Sequence, residues 1–521
     1  MDAETIHRRR WATLEVLSLS LIIIGLDNTI LNVALPTLVR ELGATQSQLQ
    51  WIVDAYILVF AGLLLTMGAL GDRYGRKLAL TTGLVIFGLS SVAAAFADSA
   101  NALIAARAVM GVGGALIMPS TLSIITNVFS GPERGRAIAA WAAVAGLGII
   151  LGPVLGGWLL ENFWWGSVFL INVFVVAVAI ALGYFLIPES KDPAATPLDP
   201  VGAGLSIVGL VALVYAIIEA PAKGWTDPIV LAAFGAAAVL ILAFLWWESR
   251  VEHPMLQLSF FENPRFSAAS VAITLVFFAM FGTVFLNTQY LQFVLGFTPL
   301  EAGFRVMPVA TMIVAAPLSA RFAERFGTKK VVTTGLVIVS IAMAILATIT
   351  VETGYGRVAL ALAVLGLGMG TAMAPATESI MGSLPLAKAG VGSAMNDTTR
   401  QIGGALGVAI LGSILASSYG SAMESVVASL PPEAAEIAVD SVGGAIAVAT
   451  QAGAAGAALT EAASAAFIGG MESAVWVAAG VALLGALVTL LWLPARGTDQ
   501  VEPEASGVEG GPAYPRVVPE P

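Results

Sequence analysis

Residues 68–80 read Gly68-Ala-Leu-Gly-Asp72-Arg73-Tyr-Gly75-Arg76-Lys77-Leu-Ala-Leu80, one acid and three bases held in a glycine-bracketed turn. On either side lie largely apolar runs, 51–71 and 78–97. Each has about the 20 residues that an α-helix needs to cross ~30 Å of hydrocarbon. The turn therefore joins two membrane spans at one face of a bilayer. Working outward with the same criterion gives fourteen spans: 12–39, 51–71, 78–97, 101–126, 137–160, 166–187, 200–220, 229–247, 267–292, 302–322, 330–350, 357–379, 394–417 and 467–493.

Composition agrees. Of 521 residues, 58% are hydrophobic and 11% charged, with a mean hydropathy of +0.89, far from the balance of a water-soluble globule. A net charge of −10 disfavours a nucleic-acid partner, which needs clustered Lys and Arg to neutralise phosphates. The absence of Cys and the presence of only two His exclude a disulfide framework or thiol chemistry and disfavour a zinc cage or a His-rich metal site.

Basic residues mark the cytoplasmic side of membrane proteins. With the N-terminus inside, 18 of the 24 Lys and Arg fall on the inner side, including Arg8 to Arg10, Arg73, Arg76, Lys77, Lys329 and Lys330. Only Arg40, Lys223, Arg305 and Arg357 fall outside, and Arg107 and Arg400 sit within spans. Both termini are then cytoplasmic. The first span has no small-residue cleavage site after it and reads as retained. Residues 418–466 are rich in Ala, Gly, Ser and Val and read as a long, partly helical outer loop. The Glu, Pro and Gly of the last 25 residues predict a disordered tail.

The second half repeats the first. Asp72-Arg73-Tyr74-Gly75 answers Glu324-Arg325-Phe326-Gly327 at an offset of 252, Gly114 to Pro119 answers Gly370 to Pro375 at 256, and Leu151-Gly152 answers Leu411-Gly412 at 260. Repeats in the same membrane sense predict two parallel six-helix bundles. The boundaries are 1–187 for the first bundle, 188–265 for a linker and two inserted spans, 266–494 for the second bundle, and 495–521 for the tail.

The 68–80 turn resembles the G-x-L-a-D-r-x-G-r-k pattern of the major facilitator superfamily. In that family the resemblance makes Gly68, Asp72, Arg73, Gly75 and Arg76 a conformational latch, with Asp72 meeting the start of the thirteenth span near Ser393 to Arg400. The fifth span carries Gly148-x-x-x-Gly152-Pro153-x-x-Gly156-Gly157. Its glycines four apart form a smooth face for a neighbouring helix, and Pro153 bends the span. The whole pattern is similar to the signature of the superfamily's exporters. Leu26-Asp27-Asn-Thr-Ile-Leu-Asn32-Val-Ala-Leu-Pro36 and Trp51-Ile-Val-Asp54-Ala-Tyr56, with fourteen spans, resemble the EmrB/QacA-type drug:proton antiporters.

A charge in the middle of a bilayer costs roughly 2.5–3.5 kcal/mol on insertion scales and needs a partner, a cavity or a neutral state. Asp27 lies about 22 Å from the inner end of its span, at about 1.5 Å per residue. It is expected to bind a proton in one half of a cycle and face a cationic drug in the other, and the alternative is a structural pair with a base. Arg107 matches the superfamily's proton-linked arginine, and a purely structural tie is the competing reading. Asp54 and Tyr56 are candidate substrate-binding residues, with Tyr56 expected to join the stripe Phe277, Phe278, Phe281 and Phe285 from the opposite bundle.

The sequence thus predicts an all-α integral membrane protein of the major facilitator fold in the cell inner membrane. It is expected to be a proton-coupled antiporter, not an enzyme, exporting lipophilic cationic drugs by alternating access. No G-x-x-x-x-G-K-[ST] occurs, so the proton gradient is the expected energy source and no cofactor or metal is implied. Partners are a small substrate, protons and membrane lipids, and the monomer is the expected functional unit. The alternatives are a dedicated exporter of one endogenous metabolite, antibiotic or lipid, and a non-transporting sensor or scaffold.

Overall fold

In the computed structural model, residues 3–129, 131–191, 198–384 and 389–495 are described. The tail expected to be disordered lies outside the described residues. The turn at Gly75 joins α2 (Gln46–Tyr74) to α3 (Arg76–Ala95) through a single residue with φ +132°. Side chains rarely adopt such an angle, so glycine alone closes this joint without strain. Gly327, φ +88°, makes the same one-residue joint between α11 (Thr311–Phe326) and α12 (Thr328–Ala347).

The remaining helices follow in chain order. The first half contains α1 (Ala3–Leu42), α4 (Ala100–Val128), α5 (Gly131–Asn162) and α6 (Ser167–Leu186), followed by the hairpin of α7 (Pro200–Lys223) and α8 (Pro228–Glu248). The second half contains α9 (Pro264–Gln289), α10 (Pro299–Arg305), α13 (Tyr355–Gly382), α14 (Ala389–Met423), α15 (Pro432–Asp440), α16 (Val442–Gln451) and α17 (Ala457–Trp492). Among the described residues thirteen segments are long and apolar enough to cross a membrane, with α10 and α11 counted as one. The 32-residue α5, fifth in the chain, is not one of these thirteen; its Gly146–Asn162 stretch is a shorter apolar helix.

Packing repeats with the sequence. In the first half α1 packs on α5, α3 on α4, α2 on α4 and α3 on α6; in the second α9 packs on α14, α12 on α13, α11 on α13 and α12 on α17. Bare glycine backbones make the equivalent contacts: Gly113 abuts the Gly83 carbonyl, and Gly368 abuts that of Gly335. Gly148 and Gly152 press on the α1 backbone as Gly403 and Gly407 press on that of α9. The structural counterpart of Gly152 is therefore Gly407. Gly412, matched to Gly152 by sequence, meets Gln50 of α2 instead. Of the inserted pair, α7 packs on both α2 and α14, and α8 packs on α7.

Two features differ from the sequence expectation. The tenth span is broken into α10, a 3-10 turn at Met307–Ala310 and α11, because Pro308 has no N–H to give and its ring displaces the carbonyl one turn back. The outer loop is shorter than 418–466: α14 runs on to Met423, α17 starts at Ala457, and α15 and α16 fill the interval. At 10 residues α16 spans only about 15 Å, too short to cross.

Candidate functional site

Inner and outer below follow the distribution of basic residues. Asp27 lies midway along α1 and is fully buried. Its Oδ2 takes the guanidinium of Arg107 of α4, and its Oδ1 accepts Nδ2–H of Asn172 of α6 at 3.2 Å. Arg107 also donates Nε–H to the Ile52 carbonyl of α2 at 3.0 Å and lies 4.4 Å over the Tyr56 ring. Glycines create this closeness. A Cβ at Gly111 would strike the α2 backbone at Tyr56, and one at Gly114 would strike Phe60. α4 therefore lies against α2, with Arg107 one turn before the first of those contacts.

The expected acid facing cargo is thus an acid already neutralised by a base. Removing either member of such a pair leaves an uncompensated buried charge, costing ~3–5 kcal/mol. Tyr56 is not beside the α9 phenylalanines: it stacks on Phe60 at 5.7 Å and meets the edge of Phe87 at 6.4 Å, with its hydroxyl buried and without a partner among the described residues. Phe281 instead covers Gly404, and the Phe278 backbone receives Gly407, so this stripe packs on α14.

Asp54 lies on another face of α2, one turn beyond Gln50, whose amide rests on Gly412 of α14. It is fully buried, and neither carboxylate oxygen has a partner among the described residues. The same is true of both amide atoms of Gln50 and of Asn287 of α9. Sequence reading missed Gln50, Asn172 and Asn287. The available signal was a lone carboxamide in an apolar run, as in Leu170-Ile171-Asn172-Val173.

The outer half of the seam between the two sets of helices is closed. A Cβ at Gly157 of α5 would lie 2.5 Å from Leu300 Cα and 2.6 Å from the Pro299 carbonyl, and Gly303 of α10 abuts the Pro153 carbonyl. Gly148, Gly152 and Gly156 turn the other way, onto α1 at Ile22, Leu26 and Ile30. Gln292 Nε2–H donates to the Val33 carbonyl at 2.9 Å, and Asp440 accepts the Gln46 N–H at 3.0 Å. An apolar cavity remains between α1, α5, α9 and the Met307–Ala310 break, lined by Asn28, Asn32, Met280, Phe281 and Met307 among others.

At the inner end Asp72 accepts Nε–H of Arg76 at 2.7 Å within its own loop. The loop is held on the end of α6: Arg76 N–H donates to the Ser190 carbonyl at 2.9 Å, Lys77 Nζ to that of Tyr184 at 2.9 Å, and Gly75 faces the Glu189 carboxylate. Gly68 and Gly71 let α2 approach Pro119 and Ser120 of α4, and Arg73 lies over Tyr74. No bond joins Asp72 to residues 393–400 among the described residues. There, Asp397 faces Arg400 at 3.7 Å, and Arg400 donates to Thr377 Oγ1 at 3.3 Å.

Comparison with known proteins places this geometry. The Major Facilitator Superfamily profile matches residues 17–408. The chain is 38% identical over 483 residues to the multidrug efflux pump LfrA of Mycolicibacterium smegmatis, covering 92% of this chain and 95% of that protein. It is 32% identical to the tetracenomycin C resistance and export protein of Streptomyces glaucescens, covering 98% and 95%. It is 34% identical to the methyl viologen resistance protein SmvA of Salmonella typhimurium, covering 79% and 83%. In fold it resembles the inward-facing, unoccupied crystal structure of a bacterial homologue of the human lysosomal transporter Spinster, with a TM-score of 0.66 at 18% identity over 93% of this chain and 98% of that one. The chain belongs to the Major Facilitator Superfamily, as a multi-pass secondary transporter of the cell inner membrane.

Proposed function

We propose that the chain exports lipophilic, cationic drugs in exchange for protons, and that Asp54 carries the exchanged proton. One observation carries this reading: Asp54 is a fully buried carboxyl group with no base and no hydrogen bond among the described residues, one turn from Gln50 where α2 packs on α14. Ionised there, it would bear the full desolvation cost of an unpaired charge. With the outer seam shut it therefore holds a proton, and it loses that proton only where water or a cation replaces the lost solvation. Gln50 and Asn287, equally unsatisfied, gain partners in the same opening.

The cycle is alternating access by rocking of two bundles, residues 1–187 and 266–494, with 188–265 inserted between them and both termini cytoplasmic. Closed outer contacts and the internal Asp72–Arg76 pair describe the state in which the inner latch is released; outward opening reverses both. Asp27 and Arg107 hold α1, α4 and α6 together and anchor α2 at Ile52, one turn from Tyr56 and next to Asp54. The proton gradient drives the cycle without a cofactor, and the monomer suffices. The names of the efflux and resistance relatives support this direction of transport. One of them, named for tetracenomycin C alone, favours a second reading, a dedicated exporter of one compound.

Ethidium efflux from proteoliposomes under an imposed pH gradient tests the proposal. Efflux should follow the gradient and stop when an uncoupler is added. Efflux indifferent to the gradient removes proton coupling, and ethidium excluded in favour of a single cargo selects the dedicated exporter.

A further inference from the structure

The inner end of the inserted hairpin holds two acids that the transport cycle does not use. Asp199 caps α7, accepting the Gly202 N–H at 2.9 Å, and also takes the Trp247 indole N–H at 3.0 Å. Glu248 ends α8 and is 3% exposed; its Oε2 accepts the Leu256 N–H at 2.9 Å, while its buried Oε1 accepts no N–H or O–H among the described residues. That bare oxygen and Asp199 Oδ2 crowd the same face of Gly202, where a Cβ would strike both. Neither acid forms an ion pair with a base among the described residues. Asp199, which caps α7, is the charged group facing Glu248, and among the described residues the chain beyond α8 presents to it the backbone N–H groups of Leu256 and Met255. Arg250 lies over the Trp246 ring instead.

We propose that Asp199 and Glu248 form a second proton-binding site, at the inner end of the inserted hairpin, which holds one shared proton on Glu248 Oε1. Two carboxylates side by side out of water cannot both ionise. Asp199 already accepts the Gly202 N–H and the Trp247 indole N–H, so it is the acceptor of the pair, and Glu248 donates to it. The site has a mechanical connection. Glu248 holds the segment that leads from α8 into α9 through the Leu256 N–H, and Met255 of that segment meets Thr66 of α2 across 3.8 Å. Loss of the shared proton places two like charges together and loosens the join between the hairpin, α2 and the second bundle. Cytoplasmic pH is thereby sensed at a point remote from Asp54.

Infrared difference spectra of the purified full-length protein, taken between about pH 5 and 9, test this. The wild type should lose a protonated-carboxyl carbonyl band that is missing from the Glu248→Gln difference spectrum. In Asp199→Asn, whose amide still caps α7, that band should titrate about one pH unit lower or more. Hydrogen exchange over residues 249–263 should show the wild type losing protection relative to Glu248→Gln as pH rises. A Glu248→Gln spectrum identical to wild type, or an Asp199→Asn midpoint unmoved, overturns the proposal. Glu248→Gln lies outside the transport machinery, so its dye efflux should persist.

Discussion

Asp27 and Arg107 neutralise one another inside the first set of helices, and this sets what substitution can report. Asp27→Asn leaves the guanidinium without its counter-charge and should destabilise the protein by ~3–5 kcal/mol, while Asp27→Asn with Arg107→Gln removes both charges and should recover a large part of that loss. Thermal unfolding of the purified variants distinguishes the two. Loss of efflux in the single variant therefore mixes stability with coupling. The sequence made the two charges legible as intramembrane groups needing partners. It did not make their pairing legible, because the two residues lie 80 positions apart on different helices and meet only in the packed bundle. For Asp54 the difficulty is the reverse: its lack of partners is a property of the packed seam, and no local pattern encodes it.

At the scale of elements, the outer seam depends on backbone contact between α5 and α10. Gly157→Ala places a Cβ against the Pro299–Leu300 backbone, which cannot yield as a flexible side chain would, so overpacking should cost about 1–3 kcal/mol of the closed state. Because the chain has no Cys, a single Gln50→Cys can report opening. Its labelling by an impermeant thiol reagent should rise in Gly157→Ala and stay unchanged in Gly146→Ala, where a Cβ meets open space. The outer helices add a pH-dependent clasp. Burial pushes the Asp440 carboxyl above the usual carboxylate range, outweighing its bonds from the Gln46 N–H and Ser441. The folded form then binds the proton more tightly than the unfolded one, so the clasp is firmest in acid and weakens as pH rises from the ordinary carboxylate range through the raised value. Hydrogen-exchange protection over residues 432–451 should fall across that window in the wild type and stay flat in Asp440→Asn. Spans as continuous apolar runs were legible in the sequence. The break at Met307–Ala310 was not, since Pro308 sits in a run whose hydropathy hides it; the partly helical character of 418–466 was expected, but not the bounds of α15 and α16.

In the molecule as a whole, two sets of helices related by an offset near 252–256 meet along a seam that is closed outside and whose inner loop is bonded to its own half. The first two sequence matches recover this symmetry and the third misaligns it, because Leu-Gly pairs recur in any apolar helix whereas the positive-φ joints at Gly75 and Gly327 do not. Transport on this account is an exchange: the seam opens, Asp54 gives up its proton, and a cation takes its place. Proton release on adding ethidium to weakly buffered, purified protein measures that exchange directly. Wild type should release protons as ethidium binds, and Asp54→Asn, still folded and still binding the dye, should release none. Undiminished release from Asp54→Asn would contradict the account.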